Sequence, residues 1–194
     1  MTLYSFGCSI TYGVGLPDTI YPKVDHKSKY AWPEVLGEKL DVKTHNISRI
    51  SASNKWIWTN VLSRQYSHDD YVVILWTYIN RWGIFTNNGK YKSLNDNYDD
   101  RTSRAYYKFI HDEYDQVLMT KLMIQSTVSY LQNFDVKQLH IFVDPTMKNL
   151  HDRLTDIDYT GIIENNPNEL DYHPGVDAQK EIARLVYERL QNGS

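Results

Sequence analysis

The sequence predicts an α/β protein with a central parallel sheet and helices on both faces. Three observations carry this. Residues 71–77, YVVILWT, form a continuous apolar run rich in β-branched side chains, as a strand covered on both faces requires. Shorter strand patterns alternate along the chain with stretches of helical spacing, the signature of crossover connections. The length of 194 residues, 41% of them hydrophobic, suffices for one sizeable core and falls short of two full domains, so a single domain over 1–194 is expected.

Element by element, residues 2–7, TLYSFG, read as a short buried strand that runs into the polar, glycine-bearing turn CSITYGVG. After a loop with Pro17 and Pro22, Trp32, Val35, Leu36 and Leu40 recur at helical spacing over residues 30–40, and Pro33 suits a first turn. VKTHNIS, residues 42–48, is a second strand, and Ser53 is an N-cap for a helix over 54–66 whose apolar side is Trp56, Ile57, Val61 and Leu62. The 71–77 strand belongs at the centre of the sheet. Residues 83–103, rich in Asn, Asp, Gly and Ser, read as an extended loop over a site. A long helix over about 104–132 follows, with Phe109, Ile110, Leu118, Leu122 and Leu131 as its buried side. QLHIFVD, residues 138–144, is the fourth strand, and 145–175 is irregular and polar. A last helix over 177–190 buries Ile182, Ala183, Leu185, Val186 and Leu190.

The totals exclude several classes. The 21 basic and 24 acidic residues are interspersed, for a formal charge of −3, so no surface reads as a nucleic-acid footprint. The one cysteine, Cys8, forms no internal disulfide, and the start MTLYSFGCSITYG lacks a basic leader and a long apolar core; a cytoplasmic setting is expected. No apolar run approaches the roughly 18 residues of a membrane span. Sixteen tyrosines and five tryptophans suit either a core with polar tips or a surface that stacks on sugar rings or bases.

In open α/β sheets, ligands gather at the carboxyl ends of strands, where Gly7 to Gly13, Ser48 to Asn54 and Trp76 to Arg81 all fall. Ser9, just beyond the first strand, can project its hydroxyl from a tight turn and aim its own amide at a developing oxyanion. In isolation it reads more simply as the cap of a turn or helix. Near the other end of the chain, Pro174 keeps His173 out of helical geometry, so Asp171 and His173, two apart, face the same way in an extended stretch. Asp171 then orients the imidazole and His173 acts as base, or the stretch is a surface loop with a titrating histidine. Cys8 is expected to be buried under the sheet. His26, His45, His68, His111, His140 and His151 show no metal-binding spacing, so no metal or other cofactor is expected.

Gly7-Cys8-Ser9-Ile10-Thr11 resembles the first block of the SGNH (GDSL-type) hydrolases, in a branch of phage and marine bacterial proteins where it reads GCSxTxG. Ala31-Trp32-Pro33, Asn46-Ile47-Ser48 and Ser51-Ala52-Ser53-Asn54 resemble the second block of that branch, and Asp171-Tyr172-His173-Pro174 the closing block. The resemblance spans most of the chain. It implies a three-layer α/β/α sandwich of flavodoxin-like SGNH type and metal-free hydrolysis of esters, often acyl groups on carbohydrates or lipids. Ser9 is then the nucleophile, His173 the base and Asp171 its orienter, and the substrate is a small-molecule or glycan ester. The family draws its oxyanion donors from the serine amide, a second-block glycine and a third-block asparagine. Here the glycine aligns with Ser51, whose amide survives the exchange. The asparagine aligns with Tyr78; either the Asn80 side chain, with Asn54 as a second candidate, donates instead, or Asn80 is only a turn residue. Tyr78 and Arg81 then stand on the rim, where the guanidinium suits a carboxylate or phosphate or, equally, a surface ion pair. The altered third block keeps two other functions open: a catalytically silent module binding a glycan or protein partner, and an acyltransferase.

Overall fold

A computed structural model of the chain describes residues 1–19, 24–95, 99–155, 157, 162 and 173–192. Its elements in chain order are β1 (Thr2–Gly7), α1 (Ser9–Tyr12), α2 (Trp32–Leu40), β2 (Lys43–Ser48), α3 (Asn54–Leu62) and β3 (Tyr71–Trp76). There follow β4 (Trp82–Phe85), β5 (Tyr91–Leu94), α4 (Arg101–Phe109), α5 (Glu113–Gln132), β6 (Lys137–Phe142), a 3-10 turn Pro145–Met147, β7 (Leu154–Thr155) and α6 (Val176–Gln191).

Five strands make one parallel sheet in the order β2-β1-β3-β6-β7. The apolar run lies at its centre as β3, with every side chain from Tyr71 to Trp76 buried. Helices α2 and α6 pack together over one face and α3 and α5 over the other, which completes a three-layer α/β/α sandwich. The faces close differently. Tyr4 on β1 meets Tyr66 edge-on, and Tyr66 meets Phe134, an aromatic wedge between the sheet and the ends of α3 and α5. Opposite, Leu36, Ile182, Ala183 and Val186 are fully buried, so helix-to-helix apolar contact does the same work.

The structure corrects four expectations. The helix expected over 54–66 ends at Leu62, where Ser63 caps it. Residues 83–103 are not one loop: β4 and β5 form an antiparallel hairpin, Trp82 opposite Leu94 and Phe85 opposite Tyr91, turned by Thr86–Lys90 with Gly89 at φ 75°. Four-residue strands are too short to show a period, and the Asn-Asn-Gly at the turn dominates the composition. The helix over 104–132 is two helices, because Asp112 accepts the Asp115 amide hydrogen and restarts the chain as an N-cap. Phe109 and Ile110, expected inside, sit at that break and are 74% and 70% exposed; Leu118 and Leu122 also face outward, while Leu131 is buried. Within the stretch expected to be irregular, Leu154–Thr155 adds a fifth strand beside β6.

Candidate active site

The end of β1 delivers Ser9. Strand pairing stops at Gly7, Cys8 takes extended geometry as the N-cap, and the chain turns at once into α1, whose first residue is Ser9. The turn is this tight because residue 7 has no side chain: a Cβ there would lie 2.0 Å from Thr11 Oγ1 and 3.2 Å from Leu75 Cβ. Gly13, at φ 82°, closes α1 in the left-handed region. The Asn46 amide of β2 donates to the Thr11 carbonyl at 2.8 Å, and the Ser48 hydroxyl donates to Asn46 Oδ1 at 2.5 Å. Cys8 is buried.

The residue facing Ser9 comes from 164 positions away: His173 Nε2 lies 2.9 Å from Ser9 Oγ. Gln179, fully buried on α6, fixes this meeting. Its Oε1 accepts the Trp32 amide hydrogen at the start of α2, and its Nε2 donates to the Ile10 carbonyl of α1 at 3.2 Å. One side chain thus ties the helix after His173 to the helix that begins at Ser9. Sequence reasoning missed it, since a glutamine in the first turn after a motif carries no signal of its own. Asp171 lies outside the described residues.

The loop after β2 supplies the next wall. The Arg49 amide donates to the Gly7 carbonyl, continuing the β1–β2 pairing past the strands, and Ser51 follows at φ 58° in the left-handed region favoured by glycine. The loop is held from outside by the hairpin: Tyr91 Oη accepts the Ser53 amide hydrogen at 2.9 Å and donates to Ser53 Oγ at 2.9 Å. Asn54 clamps this loop to the end of β3, its Nδ2 donating to the Thr77 carbonyl at 3.0 Å and its Oδ1 accepting the Thr77 amide hydrogen at 2.8 Å. Its amide is therefore committed to backbone.

The third wall follows β3. β1 and β3 are parallel neighbours, Phe6 pairing with Ile74, so the loop after β3 leaves the sheet at the same end as the turn that carries Ser9. Tyr78 is 39% exposed, and burial raises the pKa of its phenol; the Cys8 thiol and Asp144 add to the rise and Arg81 opposes it. The Arg81 guanidinium lies 5.6 Å from the Tyr78 ring centre, and its Nη1 donates to Thr77 Oγ1 at 3.2 Å. Asn80 is exposed, its carbonyl accepting the Tyr107 hydroxyl. Behind this wall Trp76 stacks on fully buried His140 and donates to its Nδ1 at 3.3 Å, while the other ring nitrogen meets Gln138 Oε1 at 2.9 Å. Among the described residues no cluster of three His, Cys, Asp or Glu is placed to hold a metal ion, and no helix is long and apolar enough to cross a membrane.

No family model and no curated protein sequence matches the chain. Its fold does match solved structures. An acetyl xylan esterase from the rumen bacterium Butyrivibrio proteoclasticus superimposes with a TM-score of 0.58 at 12% identity over 98% of this chain. This chain spans 63% of that protein's length. A member of the lipolytic G-D-S-L family from Veillonella parvula matches over 100% of both chains, with a TM-score of 0.53 and 13% identity. An esterase from Pseudoalteromonas gives 0.56 at 11% identity, over 98% of this chain and 97% of the other. The chain has the three-layer fold of the SGNH hydrolases.

Proposed function

We propose that this protein is a serine esterase of SGNH type that hydrolyses acyl esters, acetyl among them, of a carbohydrate or similar small molecule. The observation that carries the reading is the 2.9 Å contact between Ser9 Oγ and His173 Nε2 at the carboxyl end of a parallel sheet. In this reading Ser9 Oγ attacks the carbonyl carbon while His173 takes the hydroxyl proton, and Asp171 holds the imidazole in register. The oxyanion is received by the amides of Ser9 and Ser51, the latter helped by a left-handed backbone that mimics glycine, and by the side-chain amide of Asn80. Asn54 stays a clamp. The tetrahedral intermediate collapses, His173 protonates the leaving alcohol, and water drawn by the same base then releases the acid from Ser9. The fold shared with an acetyl xylan esterase favours a sugar ester, and Trp82 and Tyr78 beside the third wall suit a sugar ring.

A fluorophosphonate probe and p-nitrophenyl acetate test this directly. Labelling and hydrolysis are expected in the native protein and absent from Ser9→Ala, with His173→Ala falling by about 1000-fold or more. A resistant native protein with intact folding would instead favour a module that binds a glycan without turning it over. The observation on that side is Tyr78, which occupies the position where the resemblance expects an asparagine donor. Supplying an alcohol acceptor separates transfer from hydrolysis.

A further inference from the structure

Among the described residues, the Nε edge of the Arg81 guanidinium has no hydrogen-bond acceptor. Its Nη1 is committed to Thr77 Oγ1, and its flat face lies against Tyr78. The opposite edge pairs Nε–H with the remaining terminal nitrogen, the fork that matches the two oxygens of a carboxylate. Nε is buried and has no acceptor among the described residues. Asp144, the acid that acts on Tyr78, is spent elsewhere: Oδ2 accepts the Ile79 amide hydrogen at 3.0 Å, and Oδ1 accepts the Thr146 amide and hydroxyl hydrogens at 3.0 and 2.6 Å. A half-buried guanidinium held by ring and hydroxyl, with its Nε unmatched among the described residues, is prepared for an anion from outside.

The fork also stands in the right place. Arg81 follows β3, which pairs with β1 up to Phe6 opposite Ile74 and so ends beside the turn bearing Ser9, and Tyr78, on which Arg81 lies, is close enough to Cys8 for the two to interact electrostatically. Two further cations lie against the hairpin that follows: Arg49 is 5.2 Å from the Tyr91 ring centre and Lys55 5.6 Å from that of Trp82. We propose that Arg81 determines specificity, binding an anionic substituent of the ester substrate through its Nε edge. The enzyme thereby prefers esters of acidic molecules, such as an acylated sugar acid or sugar phosphate, over neutral ones. This rests on the esterase reading and names the substrate class within it.

Matched acetates test the proposal. Para-acetoxybenzoate is compared with para-acetoxybenzamide, with para-acetoxyphenyl phosphate as a second anionic arm that separates carboxylate from phosphate recognition. In the native protein kcat/KM is expected to favour the anionic acetates by about tenfold or more. In Arg81→Gln that ratio is expected to collapse toward one, and in Arg81→Lys to recover in part, since the charge returns without the fork. Because the ratio is taken within each preparation, loss of folded protein cancels. Equal kcat/KM for charged and neutral acetates in the native protein, or a preference that survives Arg81→Gln, overturns the inference while leaving the esterase intact. Calorimetric titration of the same compounds into Ser9→Ala reads recognition without turnover. An anionic preference there that Arg81→Gln removes supports the inference even if hydrolysis fails, and equal affinities overturn it.

Discussion

Left-handed backbone at a residue with a Cβ costs about 1–2 kcal/mol, and Ser51 bears that cost at φ 58° beside the proposed oxyanion site. Glycine would relieve it, at the expense of about 0.5–1 kcal/mol from the greater freedom of the unfolded chain. Ser51→Gly is therefore expected to raise stability by about 0.5–1 kcal/mol in urea unfolding and to hold turnover within a few-fold. Ser51→Val is expected to lower both, because a β-branched side chain fits this region worst. The importance of position 51 was legible only through the resemblance, since a serine does not announce a positive φ. Gly7 could be read as a tight point from its place after a strand, but its cause is steric crowding by Thr11 and not an unusual torsion.

At the scale of elements, Gln179 is the connection that matters most, because α1, α2 and α6 meet through one buried amide. Gln179→Leu keeps roughly the volume but leaves the Trp32 amide without a partner and the Ile10 carbonyl with only the Gly13 amide hydrogen, an expected loss of about 1–3 kcal/mol. Denaturant unfolding measures that loss. Probe labelling of Ser9 at temperatures where the variant stays folded is expected to fall as well, since α6 no longer holds His173 in register with α1. Elements with a strong period were legible in the sequence: β3 by its apolar run, α2 and α6 by their stripes. The β4–β5 hairpin and the break before α5 were not, because one has strands of four residues and the other is set by the Asp112 cap, a single local bond inside a continuous helical pattern. The consequence reached the site, for Tyr91 on that hairpin is what steadies the loop carrying Ser51.

The whole molecule carries an acid sensitivity through His140. Burial, reinforced by nearby His151 and Arg153, lowers its pKa from 6.5 to about 3, and its Nδ1 is already accepting from Trp76. Between those values the unfolded chain holds a proton that the folded protein refuses. Stability therefore declines as pH falls from about 6.5 toward 3, by at most about 1.4 kcal/mol per pH unit from this residue, and this contribution levels off below that range. Urea unfolding of native protein and His140→Gln at several pH values across the window is expected to give a shallower acid decline in the variant. The layered architecture was legible from the alternation of strand and helix, whereas no sequence pattern distinguishes His140, stacked inside, from His68, paired with Asp69 on the surface. The distance along the chain between Ser9 and His173 has one more effect. Closing so large a loop costs more entropy than winding any helix, so in refolding the far-ultraviolet helix signal is expected to return before the pair that would perform chemistry, with probe labelling of Ser9 as the later readout.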